Sequence, residues 1–326
     1  MKKLLFTLLC LFSGQAFGQL VVNNTTMTPT QLVQNVLVGT GVTVSNVTFN
    51  GAPGNTVTTQ AGEFNGVNAN VGLTTGIILA SGDAQAAVGP NNSGGFSLGP
   101  PQGTSATDPD LAAITPWNIY DQAVLEFDFV PIGDSISFRY VFASEEYDEY
   151  VCGTVNDAFG FFISGPGITG PYTNNAANIA VVPGTNTPVS INTVNLGVAG
   201  TNGTASNCAL LDPNWASYNV YYAGSNPQNN NTSVQYDGWT TVLTARAAVQ
   251  CGQTYHIKLA IADAGDGVWD SGVFLEGGSL TSVGVDVTVA TVTGDSTIIE
   301  GCSDATFIFT RPDTTGDLTI NFDISG

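Results

Sequence analysis

Positive charge is what this sequence has least of. Its 326 residues hold 6 lysines and arginines and 1 histidine against 26 aspartates and glutamates, a formal net charge of −20. A field of that sign repels phosphates and anionic lipid headgroups and gathers cations, which sets nucleic-acid binding aside. The lone histidine, His256, shares a strand face with Lys258 in Tyr255-His-Ile-Lys-Leu-Ala-Ile261. That placement predicts a sheet-surface role and gives serine or cysteine hydrolysis no promising base. Cys-x-x-Cys pairs are missing, so no zinc site is indicated. Beyond the N-terminus no apolar run is long enough to span a bilayer.

What is present begins with an export signal over residues 1–18: Lys2 and Lys3, the apolar run Leu4 to Phe12, and Ala16-Phe17-Gly18 ahead of Gln19. Soluble export is favoured over a lipid anchor at Cys10, because Leu9 is not the small residue that such an anchor requires. Removal of Lys2 and Lys3 takes the net charge from −20 to −22. Four cysteines then remain: Cys152, Cys208, Cys251 and Cys302. In an oxidising compartment an even count favours disulfides, and three pairings are possible. Cys152 with Cys208 is preferred, since both sit in polar loops and the loop closed would be long.

The remaining texture is short alternating strands with Gly, Asn and Pro between them. Thr28-Pro29-Thr30-Gln31 has the composition of a capping box and predicts one short N-terminal helix ending at Gly39. Gly72 to Gly82 reads as a buried strand, and Ala123–Val130 with Ser135–Ala143 as a hairpin across Pro131 to Asp134. Residues 83–118 and 197–235 are long polar excursions, with a helical turn predicted at Asp108-Pro109. Nothing alternates with the long helices of a parallel sheet. The prediction is an all-β fold, an antiparallel β-sandwich of the jelly-roll type over residues 19–280. Past Thr281 a second, smaller β-module begins, with strands near 285–292, 305–309 and 318–324. Residues 281–326 are too few to complete such a module, so further C-terminal modules are expected beyond them.

Four blocks, Phe138-Arg-Tyr-Val-Phe-Ala-Ser-Glu-Glu-Tyr147, Asn156 to Pro166, Asn178 to Thr185 and Tyr255 to Asp266, resemble the choice-of-anchor L domain family. The resemblance implies a bacterial surface domain, exported to the cell surface or the medium, with no established catalytic activity. Glu300 to Arg311 with Leu318 to Gly326 is similar to the opening of a Calx-beta-like module.

The acidic side chains are not evenly spread. Glu145, Glu146, Asp148, Glu149 and Asp157 crowd between two apolar strands, and Asp263, Asp266 and Asp270 share a glycine-containing loop directly after another. Carboxylates that must be buried repel each other and require a counter-charge, either Arg139 or a bound cation. Hard Ca²⁺ takes six to eight oxygens, so Glu145, Glu146, Asp157, Asp263, Asp266 and Asp270 are the candidate ligands. The competing reading gives the second loop to Asx turns at Asp263 and Asp270. Tyr147, Tyr150, Trp239 and Trp269 lie in or beside these loops and are the candidate sugar-stacking residues, with core packing the alternative. The expected function is therefore a non-catalytic adhesion or ligand-binding module, stabilised by Ca²⁺, meeting an extracellular glycan or surface protein. A purely structural domain, or a glycosidase using Glu145 with Asp263, stands behind it.

Overall fold

The computed structural model describes residues 19–99, 102–224, 233–282, 286–291 and 305–310. The expected signal, the strand near 318–324 and Cys302 lie outside them. In chain order the strands are β1 (Val21–Asn23), β2 (Val42–Phe49), β3 (Ala52–Pro53), β4 (Ala61–Asn65), β5 (Thr75–Ala80), β6 (Ile119–Pro131), β7 (Ser135–Ser144) and β8 (Ala158–Ser164). They continue as β9 (Ala177–Asn178), β10 (Gly238–Trp239), β11 (Leu243–Ala248), β12 (Tyr255–Ala264), β13 (Ser271–Glu276), β14 (Thr281–Ser282), β15 (Asp286–Thr291) and β16 (Ala305–Thr310). Three short α-helices join them: α1 (Pro29–Leu32), α2 (Pro109–Ile114) and α3 (Ala205–Leu211).

Two antiparallel sheets face each other. One has eight strands, ordered β1-β4-β5-β13-β7-β10, with β11 and β14 also paired to β7. The other has six, ordered β3-β2-β6-β12-β8-β9. The all-β sandwich is therefore as the alternating pattern predicts. Phe127, Phe129, Phe138, Tyr140, Phe142, Phe159, Phe161, Leu259 and Ile261 fill the space between the sheets. The core rings pack edge-on or stacked, as Tyr140 on Phe161 with centroids 4.9 Å apart and Phe142 on Phe159 at 4.8 Å.

One expectation fails. β6 and β7 do not form a hairpin: β6 pairs with β2 and β12, and β7 with β13, β11, β10 and β14. The turn at 132–134 carries the chain from one sheet to the other. Both strands present aromatic residues to the same core, so stacking them face to face buries more apolar surface than pairing them edge to edge. The N-terminal helix starts as its capping box dictates, Gln31 N–H donating to Thr28 Oγ1 at 3.3 Å and Thr28 N–H to Gln31 Oε1 at 2.9 Å. It gives way to a π turn over Val33–Leu37, before the predicted stop at Gly39. The helical turn predicted at Asp108 is α2, whose first amides donate to Asp108 Oδ1. α3 lies in the second polar excursion, where composition alone suggests only loop.

The outer faces are also covered. Against the eight-stranded sheet, Val234, Tyr236 and Trp239 pack with Val141, Ala143 and Phe274. Against the six-stranded sheet, Leu111 of α2 packs with Phe162 and Ala260. Lys258, predicted to share a face with His256, does so, but it is buried and pairs with Asp108 at 2.7 Å and Asp110 at 2.5 Å.

Candidate functional site: buried carboxylates at one end of the sandwich

Four strand ends meet at one end of the molecule. β7 ends and β13 begins opposite each other, Ser144 facing Ser271, while β12 ends and β8 begins opposite each other, Ala262 facing Ala158. The loops leaving these ends carry the two acidic stretches, so the sheet registers bring distant parts of the chain together. Ser271 Oγ donates to Asp157 Oδ2 at 2.5 Å, tying the start of β13 in one sheet to the residue before β8 in the other. Glu145 N–H donates to Asp270 O at 3.2 Å, and Ala264 N–H to Asp157 Oδ1 at 3.0 Å.

Glu145, Glu146, Asp157, Asp263 and Asp270 are each at most 2% exposed. Asp266 is exposed, and its Oδ1 accepts from Val268 N–H at 3.2 Å. The Asx-turn alternative thus describes Asp266 rather than Asp263 or Asp270. Asp270 is held instead by the neighbouring loop, its Oδ2 accepting from Leu98 N–H at 2.9 Å.

The remaining carboxylates are poorly satisfied. Among the described residues, both oxygens of Glu145, both of Asp263 and Oε2 of Glu146 have no hydrogen-bond partner. The Gln235 side chain and the Phe96 backbone approach Glu145, the Asp157 backbone approaches Glu146 and Ser81 approaches Asp263, none in good hydrogen-bond geometry with the oxygens named. Gln235 Nε2 gives one of its two N–H groups to Ser93 O at 3.1 Å, and Ser81 Oγ donates to Ser271 O at 3.4 Å.

The electrostatics follow from burial. Loss of solvent, and then the charge of Asp237, pushes Glu145 up to about 10. Burial raises Asp157 to about 8 and Asp270 to about 7. Glu146 and Asp263 are raised well above the carboxylate range by burial, with Asp157 the leading charge acting on both. The adjacent glutamates therefore face different neighbours. Glu146, Asp157 and Asp263 form an inner group acting on one another, Glu145 is acted on first by Asp237 and then by Asp270, and Asp270 acts on Asp157 and Asp263 as well.

Among the described residues, Arg139 does not neutralise this group, and neither does Lys258 or His256. Arg139 lies on β7 with its guanidinium on both oxygens of Glu276, at 2.8 Å each. Lys258 is held by Asp108 and Asp110, and His256 by Asp128 at 2.8 Å and Glu126 at 3.4 Å. Arg246 lies opposite Ser137, toward the other end of β7.

The all-oxygen donor set suits a hard cation such as Ca²⁺ and not a thiolate- or imidazole-seeking metal. Among the described residues, however, no three His, Cys, Asp or Glu side chains form a ready-made metal cage. A cation here would take one or two carboxylates with backbone and hydroxyl oxygens and water. Protonation is the other route to neutrality, since a protonated Glu145 or Asp263 carries an O–H that can donate to a neighbouring carboxylate such as Asp237 or Asp157.

The aromatic candidates divide. Tyr147 is fully buried in the core, its hydroxyl donating to Val194 O at 2.6 Å, and Trp239 is 4% exposed in the outer cluster. Neither offers a ring face to a sugar, because the second polar excursion folds back over them. Tyr150 and Trp269 are half-buried at the rim and pack edge to face with centroids 4.8 Å apart. Trp269 adopts φ +69°, and its indole lies where any side chain on Gly95 would stand, within 2.3 Å of the position of a Cβ.

The disulfide is Cys152–Cys208, as preferred from the sequence. It clamps the acidic loop to α3, alongside backbone bonds from Gly200 to Val151 O, Asn202 to Glu149 O and Thr204 to Cys152 O, each 2.9 Å. Cys251 is exposed, forms no disulfide among the described residues, and its Sγ donates to Ile132 O at 3.1 Å.

Sequence reasoning passes over two features here. Gly95-Phe-Ser-Leu-Gly99 has the spelling of a nucleophile elbow, but it lies in a loop with no strand before it or helix after it, and Ser97 Oγ accepts from Trp269 N–H at 2.6 Å. Asp237 and Asn91 belong to the acidic end as well, although nothing in the local pattern around them marks them out.

Residues 21–281 match the choice-of-anchor L domain, and the chain belongs to that family. It is a family of bacterial surface-associated domains and is not known as an enzymatic one. No curated protein and no solved structure is significantly similar to the chain. Among the described residues no helix is long and apolar enough to cross a membrane.

Proposed function

We propose that this is an exported, non-catalytic adhesion module whose binding end is organised by Ca²⁺ at the inner carboxylate group of Glu146, Asp157 and Asp263, with Asp270 beside them. One observation carries the reading: buried carboxylate oxygens on Glu146 and Asp263 with no hydrogen-bond partner among the described residues, at the point where both sheets end. An ionised carboxylate removed from water without a partner costs several kcal/mol, and a divalent cation offsets that cost where Arg139, Lys258 and His256 are held by other carboxylates. The ion would fix the loops that carry Tyr150 and Trp269, the two rim aromatics with some ring surface toward solvent. A glycan is the first ligand class to test, because such rings stack on sugar faces and the adjoining loops are rich in Asn and Ser.

Glycan-array binding of the exported chain, in calcium and in EDTA, tests the reading. Calcium-dependent binding that is lost in Trp269→Ala supports it. Calcium binding without any glycan signal reduces the domain to a structural one, and absence of calcium binding removes the proposal.

A further inference from the structure

Neither carboxylate oxygen of Glu145 has a hydrogen-bond partner among the described residues, and the leading charge acting on it is that of Asp237, followed by Asp270. β10 pairs antiparallel with β7, Gly238 opposite Ser144, so the preceding residue, Asp237, runs alongside the one that follows Ser144, which is Glu145. Asp237 N–H donates to Ser144 O at 3.1 Å, and Asp237 supplies the largest charge acting on Glu145. Like charges side by side across a strand pair destabilise it. Both residues are buried, Asp237 at 1% exposure and Glu145 at 0%.

The third member is Asn91, 9% exposed, whose Nδ2 donates to Asp237 Oδ1 at 2.5 Å. That bond leaves Asn91 Oδ1 without a partner among the described residues, together with Asp237 Oδ2 and both oxygens of Glu145. Four buried acceptors from three parts of the chain thus lack a well-formed hydrogen bond among the described residues, with the Gln235 side chain and the Phe96 backbone the nearest donors to Glu145. The loop bearing Asn91 is fixed in place: Asn92 N–H donates to Gln235 Oε1 at 3.4 Å, Gln235 Nε2 returns to Ser93 O at 3.1 Å, and Val88 bridges Val234. Tyr236, between Gln235 and Asp237, also has an unpartnered buried hydroxyl.

We propose that Asn91, Asp237 and Glu145 form a second divalent-cation site, of the Ca²⁺ class, beside the outer face of the eight-stranded sheet and adjoining the inner group of Glu146, Asp157 and Asp263 through Asp270. The charge of Asp270 acts on both groups. Its donors are a bidentate glutamate, one aspartate oxygen and one amide oxygen. Water and backbone carbonyls complete the six to eight oxygens that Ca²⁺ requires. The ion pins the loop around Asn91 and the approach to β10 onto the end of β7, and so holds the cover over the outer face of that sheet.

Titration of the full chain with Ca²⁺ alone, followed by calorimetry and native mass spectrometry, reads the number of ions bound. The expected result is two per chain. Asp237→Asn and Asn91→Ala should each leave one, and Glu146→Gln with Asp263→Asn should remove the other. Two ions of unchanged affinity in both Asp237→Asn and Asn91→Ala would overturn the outer site while leaving the inner one standing. A single ion in the parent chain, lost in Asp237→Asn and kept in Asp263→Asn, would support the outer site and remove the inner reading. Asn91→Asp decides the matter even if the other variants fail to fold. It adds a charged oxygen at the same place, so Ca²⁺ should bind roughly three- to tenfold tighter, because affinity in such sites follows ligand charge. Unchanged or weaker binding would mean that the amide serves only as a donor to Asp237.

Discussion

Replacement of Asp263 by asparagine separates a cation-holding carboxylate from a merely buried one. Asp263 is 1% exposed, and neither of its oxygens has a hydrogen-bond partner among the described residues. In EDTA the buried wild-type group is a liability wherever the pH ionises it, because burial and the charge of Asp157 disfavour the charged form. The size of such a liability can be judged from its neighbour Asp270, whose rise from 3.8 to about 7 corresponds to about 4 kcal/mol by linkage. The sign follows from the direction of the shifts. A carboxylate raised in the folded state lends relative stability below its unfolded value near 4, and that stability is lost as pH rises through the folded value. For this end of the molecule the window runs from about pH 4 to about 8, set by Asp270 at about 7 and Asp157 at about 8. In EDTA the melting temperature should therefore fall across that window, and the asparagine variant should melt at or above wild type. Calcium reverses the order. An ion present at a hundred times its Kd adds about 2.7 kcal/mol, which for a domain of this size raises Tm by about 5 to 10 °C. The variant should lose most of that gain. Differential scanning calorimetry at pH 4.5, 6 and 7.5, in EDTA and in calcium, reads all of these quantities. A variant equally destabilised in both media, or a wild type indifferent to calcium throughout, would refute the reasoning.

Three other outcomes follow from the structure. Replacing both Cys152 and Cys208 by serine opens a loop with a sequence separation of 56 residues, which in the chain-entropy account costs about 4 kcal/mol, read as a lower denaturation midpoint. Lys258→Met leaves Asp108 and Asp110 buried without their cation and should cost about 3 to 5 kcal/mol in urea unfolding. Arg139→Ala removes an ion pair whose arginine side chain is 48% exposed, and should change stability by less than about 1 kcal/mol in the same assay, as expected if Arg139 plays no part in neutralising the acidic end.

The hairpin across residues 132–134 shows where local pattern stops being informative. Alternation marks β6 and β7 as strands with one apolar face each, but two such strands can pair by their edges or stack by their faces. Only the later strands β12 and β13, which take up the edges, decide between the two. The aromatic residues show the same limit. Tyr147 and Trp269 both lie beside acidic loops in the sequence, yet one is a core ring and the other a rim ring. What separates them is the excursion over residues 197–224, which folds back onto Tyr147.

The charge imbalance, the strand texture, the capping box at Thr28 and the family blocks were all properties of residues read in order, and the chain sufficed to state them. The crowding of Glu145, Glu146 and Asp157 was visible too, because those residues are neighbours along the chain. Their meeting with Asp263 and Asp270, and the arrival of Asp237 and Asn91 beside Glu145, was decided by sheet register, which sets β7 against β13 and β10 and β8 against β12. Register depends on the sum of side-chain contacts over whole strands, so a carboxylate more than a hundred residues away leaves no mark on the sequence near its partner.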